Sequence, residues 1–337
     1  MSTITIDHVY PQSGIQGGRV QVACRGLDAD AIDACSLVFG TTPTRPALTS
    51  PTLVLGTVPE SADADGVHLQ QNDATSNTIS FLRGVRLAEN LHPVGNPAID
   101  RNGVIYTTVS GTKGQQVPVS IYRITPQGDV EPFASDILNA TGLAFAPDGD
   151  LYVTSRHAGQ VLRVNERGAV SIFAEGLGVV TGIAFDAQGH LYVGDRRGTI
   201  LQFSAAGEPR TLAKLAPSAT AYHLAFDDGG RLLVSYPTLS CNDQIYAIAP
   251  DGEVQTIASG LGRAQGLALD RDQNLYVVSY LNGEGGVVKR TPSGDMTHII
   301  AGVNLVGIAF GMDSDVILTD NSAVYRLRLG IQGRPLI

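Results

Sequence analysis

Apolar residues recur along this chain in short runs, separated by turns that contain glycine. The clearest copies are Thr141-Gly-Leu-Ala-Phe and Thr181-Gly-Ile-Ala-Phe, which begin forty residues apart, and each is followed by a Leu-Tyr-Val run. In these runs the side chains alternate between two faces, the period of two that a β-strand imposes. A repeat of this length built from strands alone predicts the blades of a β-propeller.

The repeat divides the chain from residue 77 onward into six blades. Their approximate ranges are 96–136, 138–178, 179–218, 219–262, 263–304 and 305–329. The last range has room for only three strands, so we expect residues 78–88 to supply its outer strand. Pairing the two ends of a ring in this way removes unpaired sheet edges, which otherwise promote aggregation.

Residues 1–76 do not fit the repeat. They contain short alternating stretches that begin near Ile4, Arg19, Ser36 and Leu53. Short strands separated by proline- and glycine-containing turns predict a small β-sandwich. We expect the polar segment 60–77 to end the sandwich and link it to the ring, so the predicted fold is all-β throughout.

Composition narrows the function classes. The net charge of −9 and the pI near 5.2 argue against nucleic acid, which demands a basic face. No apolar run is long enough to span a bilayer, and residues 1–20 lack the features of a signal peptide. The chain as given is predicted to be cytoplasmic, or secreted or periplasmic if an export signal was removed. The three cysteines, Cys24, Cys35 and Cys241, have no metal-binding spacing, and we expect buried free thiols.

Two family resemblances extend this picture. The pattern Gly-Leu-Ala-Phe…Gly-x-Leu-Tyr-Val resembles NHL repeats and the related senescence-marker/gluconolactonase-like propellers over about residues 78–329. The segments Val9-Tyr-Pro-Gln-Ser-Gly-Ile-Gln-Gly-Gly-Arg-Val and Ser36-Leu-Val-Phe-Gly-Thr resemble the immunoglobulin-like TIG/IPT family. The second resemblance implies that residues 1–76 form an immunoglobulin-like sandwich, a module that usually acts as a spacer or interaction domain.

The gluconolactonase-like resemblance implies a divalent cation, such as calcium, on the ring axis. Its carboxylate and amide ligands would lie at the starts of the innermost strands, where this chain has Gly95, Thr141, Thr181, Tyr222, Gln265 and Val306. None of these is a carboxylate, and hard divalent cations need charged oxygen ligands. Asn96 lies one residue after Gly95, and a single asparagine is not a sufficient set of metal ligands. We therefore predict no metal and no cofactor, and a polar, uncharged ring.

The other candidates are expected on one face of the ring. Strand direction gathers the long loops 109–119, 236–244 and 280–286 on the face where the innermost strands begin, which we call the loop-rich face; the opposite one is the turn face. Long loops on a rigid frame concentrate binding residues. The predicted ligand-binding residues are Asn96, Thr141, Thr181, Gln265, Arg156, His157, Arg196, Tyr236 and Tyr280.

Two features suggest chemistry. Arg156-His157 and Arg196-Arg197 occupy matching positions in adjacent blades, either as an anion clamp or as solvated loop charges. His223 replaces the glycine of the repeat in the fourth blade, beside Tyr222. Because imidazole titrates near neutrality, His223 with Tyr222 is the candidate catalytic pair; the alternative is a hydrogen-bonded filler of the channel.

Two functions follow from the sequence. The first is a binding or interaction propeller that recognises a small molecule, glycan or protein segment on its loop-rich face. The second is a gluconolactonase-like lactone or ester hydrolase, or a lyase, with an altered and metal-free axial site. The missing carboxylates favour the first function.

Overall fold

The structure is a computed structural model that describes residues 3–61, 65–204, 207–240, 242–311 and 313–334. Regular structure in these residues is almost entirely β, apart from a 3-10 helix at Ala29–Ala34. The N-terminal strands are β1 (Thr5–Tyr10), β2 (Ser13–Gly14), β3 (Arg19–Arg25), β4 (Cys35–Phe39), β5 (Thr42–Thr44), β6 (Leu48–Thr49), β7 (Leu53–Thr57), β8 (Val67–Gln71), β9 (Ala74–Thr75) and β10 (Leu82–Arg83).

Two of the N-terminal sheets enclose an apolar core. One has the strand order β1-β3-β7-β6 and the other β5-β4-β8-β9. Cys24 and Cys35 are free and buried in this core, as the sequence predicts, and Cys241 lies outside the described residues. The sequence predicts that the segment 60–77 ends the sandwich and links it to the ring. It does contain the last strands of the second sheet, β8 and β9, so it is not simply a linker. The sequence pattern did not indicate β8 because its buried residue Gln71 is polar. The Gln71 side-chain amide donates to the carbonyls of Asp28 and Ala31, both at 2.9 Å.

The rest of the chain forms antiparallel sheets, which we number one to six. Sheet one contains β12 (Ala98–Ile99), β13 (Ile105–Thr108), β14 (Ile121–Ile124) and β15 (Val130–Ala134), and sheet two contains β16 (Ala140–Phe145), β17 (Leu151–Ser155), β18 (Gln160–Val164) and β19 (Val170–Ala174). Sheet three contains β20 (Val180–Phe185), β21 (Leu191–Asp195), β22 (Thr199–Phe203) and β23 (Pro209–Lys214), and sheet four contains β24 (His223–Phe226), β25 (Leu232–Ser235), β26 (Asp243–Ile248) and β27 (Val254–Leu261). Sheet five contains β28 (Leu267–Leu269), β29 (Leu275–Leu281), β30 (Glu284–Arg290) and β31 (Met296–Ala301), and sheet six contains β11 (Val85–Ala88), β32 (Leu305–Phe310), β33 (Val316–Asp320) and β34 (Val324–Leu327).

The innermost strands close into a ring. Sheets one to five each contain four consecutive strands, and sheet six has the order β11-β34-β33-β32, with Val85 opposite Arg326. Along the ring β12, β16, β20, β24, β28 and β32 contact one another in turn, and β32 contacts β12. The fold is therefore propeller-like, with the first residues of each innermost strand near the axis.

One contact between adjacent sheets explains the repeated Phe and Leu-Tyr-Val. The tyrosine of each second strand packs edge-on against the phenylalanine that ends the next innermost strand; the pairs are Tyr106–Phe145, Tyr152–Phe185, Tyr192–Phe226 and Tyr276–Phe310, with ring centroids 4.9–5.2 Å apart. In sheets four and six the second strand lacks this tyrosine, and the next innermost strand lacks the phenylalanine. Leu233 and Leu269 share one core cluster, and Ile317 and Ile99 share another.

The N-terminal part is joined to sheet five by backbone pairing. β2 runs parallel to β31, and β10 runs parallel to β2. The Ser13 hydroxyl donates to the Ile299 carbonyl at 2.6 Å, and the Ile15 amide donates to the Ala301 carbonyl at 2.8 Å. Because the two parts share a sheet, the junction is a packed interface. None of the helical segments in the described residues has the length and apolar character to cross a membrane.

Candidate functional site: the axial cavity

A cavity of about 890 Å³ occupies the centre of the ring. Each innermost strand contributes to its wall the alanine that precedes the repeat's final apolar residue; the six are Ala98, Ala144, Ala184, Ala225, Ala268 and Ala309. Two of the six, Ala98 and Ala184, lie in apolar core clusters, and the other four pack against such clusters. The sequence analysis did not single out these alanines, although their recurrence in the repeat was the available signal.

The two ends of the cavity differ in exposure. Lining residues at the starts of the innermost strands, such as Thr141, Thr181 and Ala221, are buried. Lining residues in the turns that follow these strands, such as Gln188 and Gly230, are exposed. The cavity therefore reaches solvent on the turn face, opposite the loop-rich face that the sequence favoured.

The C-terminal segment crosses the exposed end. Gly333 pairs with Asp270 in sheet five. Arg334 donates to the Phe226 carbonyl and lies 2.7 Å from Asp228 in sheet four. Because Arg334 also lines the cavity, this segment forms part of its mouth.

His223 lies at the buried end. It is the first residue of β24, only 3% of its surface is exposed, and it lines the cavity. Its Nε2 atom has no hydrogen-bond partner. Burial lowers the pKa of His223 to about 4 from the usual 6.5, so the imidazole is neutral at physiological pH. A neutral imidazole can donate from one ring nitrogen and accept at the other.

Tyr222, the neighbour of His223, is fully used in packing. Its hydroxyl donates to the Ala216 carbonyl, and its ring lies 4.5 Å from the ring of Tyr236, which in turn stacks on Tyr246. Burial raises the pKa of Tyr222. Tyr222 borders the cavity, but its hydroxyl points to a backbone acceptor and is poorly suited to act as a base.

Three other predicted ligand residues bind backbone in or between sheets. The Thr141 hydroxyl donates to the Asn139 carbonyl at 3.0 Å. The Thr181 hydroxyl donates to the Gly194 carbonyl at 3.3 Å and accepts from the Tyr222 amide at 3.0 Å. Thr141 and Thr181 line the cavity, whereas the buried Gln265 amide donates to the Leu305 carbonyl at 2.9 Å.

Asn96 replaces the repeat's glycine in sheet one, as His223 does in sheet four. Its amide nitrogen donates to the Leu267 carbonyl at 3.1 Å, and its amide oxygen accepts from the Ile308 amide at 3.2 Å. Asn96 thus joins sheet one to sheets five and six. It lines the cavity with both ends of its amide already bonded.

The remaining predicted residues lie away from the cavity. Arg156 is half-buried and donates to the Ser110 hydroxyl at 3.2 Å, while His157 beside it is exposed. Arg196 is exposed and donates to backbone carbonyls, and Tyr280 is 37% exposed. The structure therefore separates the predicted set into an axial group and a group on the loop-rich face.

A histidine at the cavity mouth contacts a carboxylate. His190 is exposed, and its Nδ1 lies 2.9 Å from Asp186 Oδ2. Both residues line the cavity. At the equivalent place in sheet four, Arg231 Nε lies 2.8 Å from Asp227 Oδ2, so this contact recurs as a device that closes the turn.

Within the described ranges, no group of three or more His, Cys, Asp or Glu side chains is arranged to hold a metal ion. The buried end of the cavity presents hydroxyl, amide and imidazole groups in place of carboxylates. Such a donor set suits uncharged ligands better than a hard divalent cation.

Comparison with known proteins identifies the fold. No family model and no curated protein sequence matches the chain. An auxiliary nutrient binding protein from Bacteroides thetaiotaomicron VPI-5482 aligns over 96% of this chain and 97% of its own, with a TM-score of 0.57 and 12% identity. A gluconolactonase-like protein aligns over 75% and 94%, with a TM-score of 0.59 and 17% identity. Virginiamycin B lyase from Staphylococcus aureus aligns over 71% and 81%, with a TM-score of 0.53 and 17% identity. At such identities the likeness extends to the propeller-like fold alone.

Proposed function

We propose that this chain is a ligand-binding six-bladed β-propeller with an IPT-like N-terminal sandwich, and that a small molecule binds in its axial cavity. The closed ring of six innermost strands supports the blade count. The exposed lining on the turn face supports entry from that side. The nutrient binding protein that aligns over nearly the whole chain favours a binding role.

The unpartnered nitrogen of His223 carries the proposal. Other departures from the repeat are compensated by neighbours: Asn96 has two backbone partners, and Tyr222 packs where sheet three has Gly194. His223 Nε2 has no such partner. A buried polar atom without a partner lowers the stability of a protein by roughly 1–3 kcal/mol. A ligand that supplies the missing hydrogen bond removes this cost, and the binding free energy becomes more favourable.

The cavity also restricts the ligand class. Its buried end contains neutral groups, and a charge placed there without a partner would be strongly penalised. We therefore expect an uncharged small molecule with an apolar side toward the alanines and a hydroxyl or carbonyl group toward His223. Neutral sugars and lactones have this character.

Titration calorimetry with uncharged monosaccharides and sugar lactones tests the proposal. We expect at least one compound to bind, with affinity lost on replacing His223 by Gly, the residue that sheets two, three, five and six carry. Ala184→Leu should also weaken binding, because it enlarges a side chain of the cavity wall. The exposed His8 provides a matched control, since His8→Gly should not change the affinity. Failure of the whole panel to bind, or binding unaffected by both cavity variants, would overturn the proposal.

A hydrolase or lyase remains the second candidate, because the free nitrogen of His223 could accept a proton from a bound substrate. With its pKa lowered to about 4, His223 is unprotonated but weakly basic at neutral pH. Turnover of the same lactones that disappears in His223→Gly would establish this reading. Binding of these lactones without turnover would support the binding function and contradict the catalytic one.

A further inference from the structure

One row of side chains in sheet three leads outward from the ring axis. Ala184 of β20 pairs with Tyr192 of β21. Tyr192 in turn pairs with Gln202 of β22, which pairs with Arg210 of β23. Residues opposite one another in antiparallel strands lie on the same face of the sheet, and the contact of Tyr192 with Phe226 turns this face toward sheet four. All four members of the row line the axial cavity, so the cavity continues outward between sheets three and four.

Turns of sheet four form the opposite wall of this extension. Gly229 and Gly230, between β24 and β25, and Pro250, between β26 and β27, are exposed and line the cavity. We call the space between these turns and the row Tyr192, Gln202 and Arg210 the radial groove. Adjacent strands lie about 4.8 Å apart, so the three spacings from β20 to β23 give a length of ~14 Å. One sugar ring at the axis is too short to reach Arg210, whereas two or three linked rings are long enough.

Sheet three departs from the other sheets at the position of Gln202. In sheets one, two, five and six the equivalent third-strand residue is basic and has a partner. These contacts are Arg123 Nη2 to Glu131 Oε2 at 2.7 Å, Arg163 Nη2 to Asp148 Oδ2 at 3.1 Å, Lys289 Nζ to the Tyr276 ring centroid at 5.9 Å, and Arg326 Nε to Asp315 Oδ2 at 3.7 Å. Sheet three has a neutral glutamine instead, and its basic residue, Arg210, lies one strand further out.

Only one end of the Gln202 amide has a partner. Its Nε2 atom donates to the Tyr192 hydroxyl at 2.7 Å, and this hydroxyl donates to Asp186 Oδ2 at 3.2 Å. Because a carboxylate only accepts hydrogen bonds, this chain of contacts fixes the orientation of the amide. The Oε1 atom of Gln202 is buried and has no hydrogen-bond partner. The wall of the radial groove therefore contains an acceptor that lacks a donor.

Arg210 places donors beside this acceptor. It is exposed, and no ion pair within the described ranges includes its guanidinium. The Cβ atoms of directly opposed residues such as Gln202 and Arg210 lie about 4.5–5.5 Å apart. A guanidinium has five N–H donors and no acceptor.

An acceptor beside a group of donors fits adjacent hydroxyls. One hydroxyl of a sugar can donate to Gln202 Oε1 while its neighbour accepts from Arg210. A carboxylate or phosphate group could only accept, and its oxygens would lie against the unpartnered Oε1. The radial groove is therefore better suited to a polyhydroxylated group than to an anion.

We propose that the radial groove is a second subsite of the axial cavity and binds the outer sugar of an uncharged oligosaccharide, with Gln202 as acceptor and Arg210 as donor. The inner sugar occupies the axial cavity, so this inference rests on the proposed function. It extends the ligand from a single ring to two or three linked rings.

Titration calorimetry of the full chain with maltose, cellobiose and lactose, each compared with its component monosaccharides glucose and galactose, tests the groove. We expect at least one disaccharide to bind about tenfold more tightly than its monosaccharides, the effect of one further hydrogen bond to a charged group. Gln202→Ala and Arg210→Ala should remove this advantage and leave monosaccharide affinity unchanged. Unchanged monosaccharide affinity also shows that the variants fold.

Matched variants use the residues of the other sheets. Gln202→Arg gives sheet three the residue of sheet two, so the fold should tolerate it, and its longer side chain should remove the disaccharide advantage by filling the groove. Arg163→Gln changes the equivalent position of sheet two, which does not line the cavity, and should preserve the advantage.

The outcomes for the groove and for the axial cavity are distinct. Absence of disaccharide binding, equal affinity for disaccharides and monosaccharides, or an advantage that survives Gln202→Ala and Arg210→Ala would overturn the groove proposal. Monosaccharide binding that His223→Gly weakens would still support the axial site in these cases. A disaccharide whose affinity falls in both groove variants but not in His223→Gly would support the groove and contradict the axial site.

Discussion

Sheets two and four begin their innermost strands with different residue pairs, Thr141-Gly142 and Tyr222-His223. In sheet two the Thr141 hydroxyl has a backbone acceptor, and the Gly142 amide donates to the Thr154 hydroxyl at 2.8 Å. In sheet four the Tyr222 hydroxyl also has a backbone acceptor, whereas Nε2 of His223 has no hydrogen-bond partner. Departure from a repeat is thus a functional signal only where the neighbouring sheets do not compensate for it.

The pH dependence of stability gives the largest expected difference between His223 and the repeat's glycine. Because unfolded His223 takes up a proton below about pH 6.5 and folded His223 only near pH 4, the wild type should lose stability as pH falls between these values. The loss attributable to His223 is at most about 3 kcal/mol. Urea unfolding at pH 7.5, 5.5 and 4.5 should show a smaller loss for His223→Gly. Parallel pH profiles would show that His223 is not buried as a neutral group.

The compensation between Tyr222 and Gly194 can be broken directly. A Cβ atom at position 194 would lie 2.8 Å from Cβ of Tyr222, so Gly194→Thr should lower the unfolding free energy by about 1–3 kcal/mol. In the Tyr222→Gly background the same change should cost less than about 1 kcal/mol, because the Cβ and ring atoms that face position 194 are then absent. Equal costs in both backgrounds would contradict the pairing.

Asn96 and His223 can be compared by the same substitution. Asn96→Gly removes two hydrogen bonds between sheets and should cost about 2 kcal/mol at pH 8. His223→Gly removes no bond from Nε2 and should cost less than half as much at this pH. Chemical denaturation measures both values. A larger loss for His223→Gly would make that residue structural and weaken the case for a ligand contact.

The contact between Tyr192 and Phe226 gives the smallest expected effect. Its rings lie 4.9 Å apart with 67° between their planes. A double-mutant cycle with Tyr192→Leu and Phe226→Leu should show a coupling of about 1 kcal/mol, since the double variant recreates the Leu233–Leu269 pair. Additive effects of the two substitutions would contradict an energetic coupling between the two rings.

Local periodicity was sufficient to predict much of the strand content. The starts near Arg19, Ser36 and Leu53 correspond to β3, β4 and β7, where alternating burial produces the alternating pattern. β8 escaped prediction because Gln71 is buried by hydrogen bonds to a distant loop. The two-residue strand β2 also escaped, because only its partner in β31 defines it.

The candidate site was less predictable than the fold. The sequence assigned His223 to a candidate catalytic pair and Asn96 to the ligand-binding residues, but it could not show which of the two side chains has hydrogen-bond partners. It also placed the ligand on the loop-rich face, whereas the exposed lining of the cavity lies on the turn face. The first distinction depends on contacts between residues far apart in the chain, since Asn96 bonds to Leu267 and Ile308.

The sequence by itself determined the repeat, the all-β class and the positions where single residues depart from the pattern, because alternation and turn chemistry act over a few residues. Only the tertiary structure decided which side chain of the next sheet meets each departure. That contact gives Asn96 two partners, fits Tyr222 beside Gly194 and leaves His223 Nε2 with none. Hydrogen-bond satisfaction of a buried group is a property of its surroundings, and the surroundings of β24 come from sheets distant in the chain.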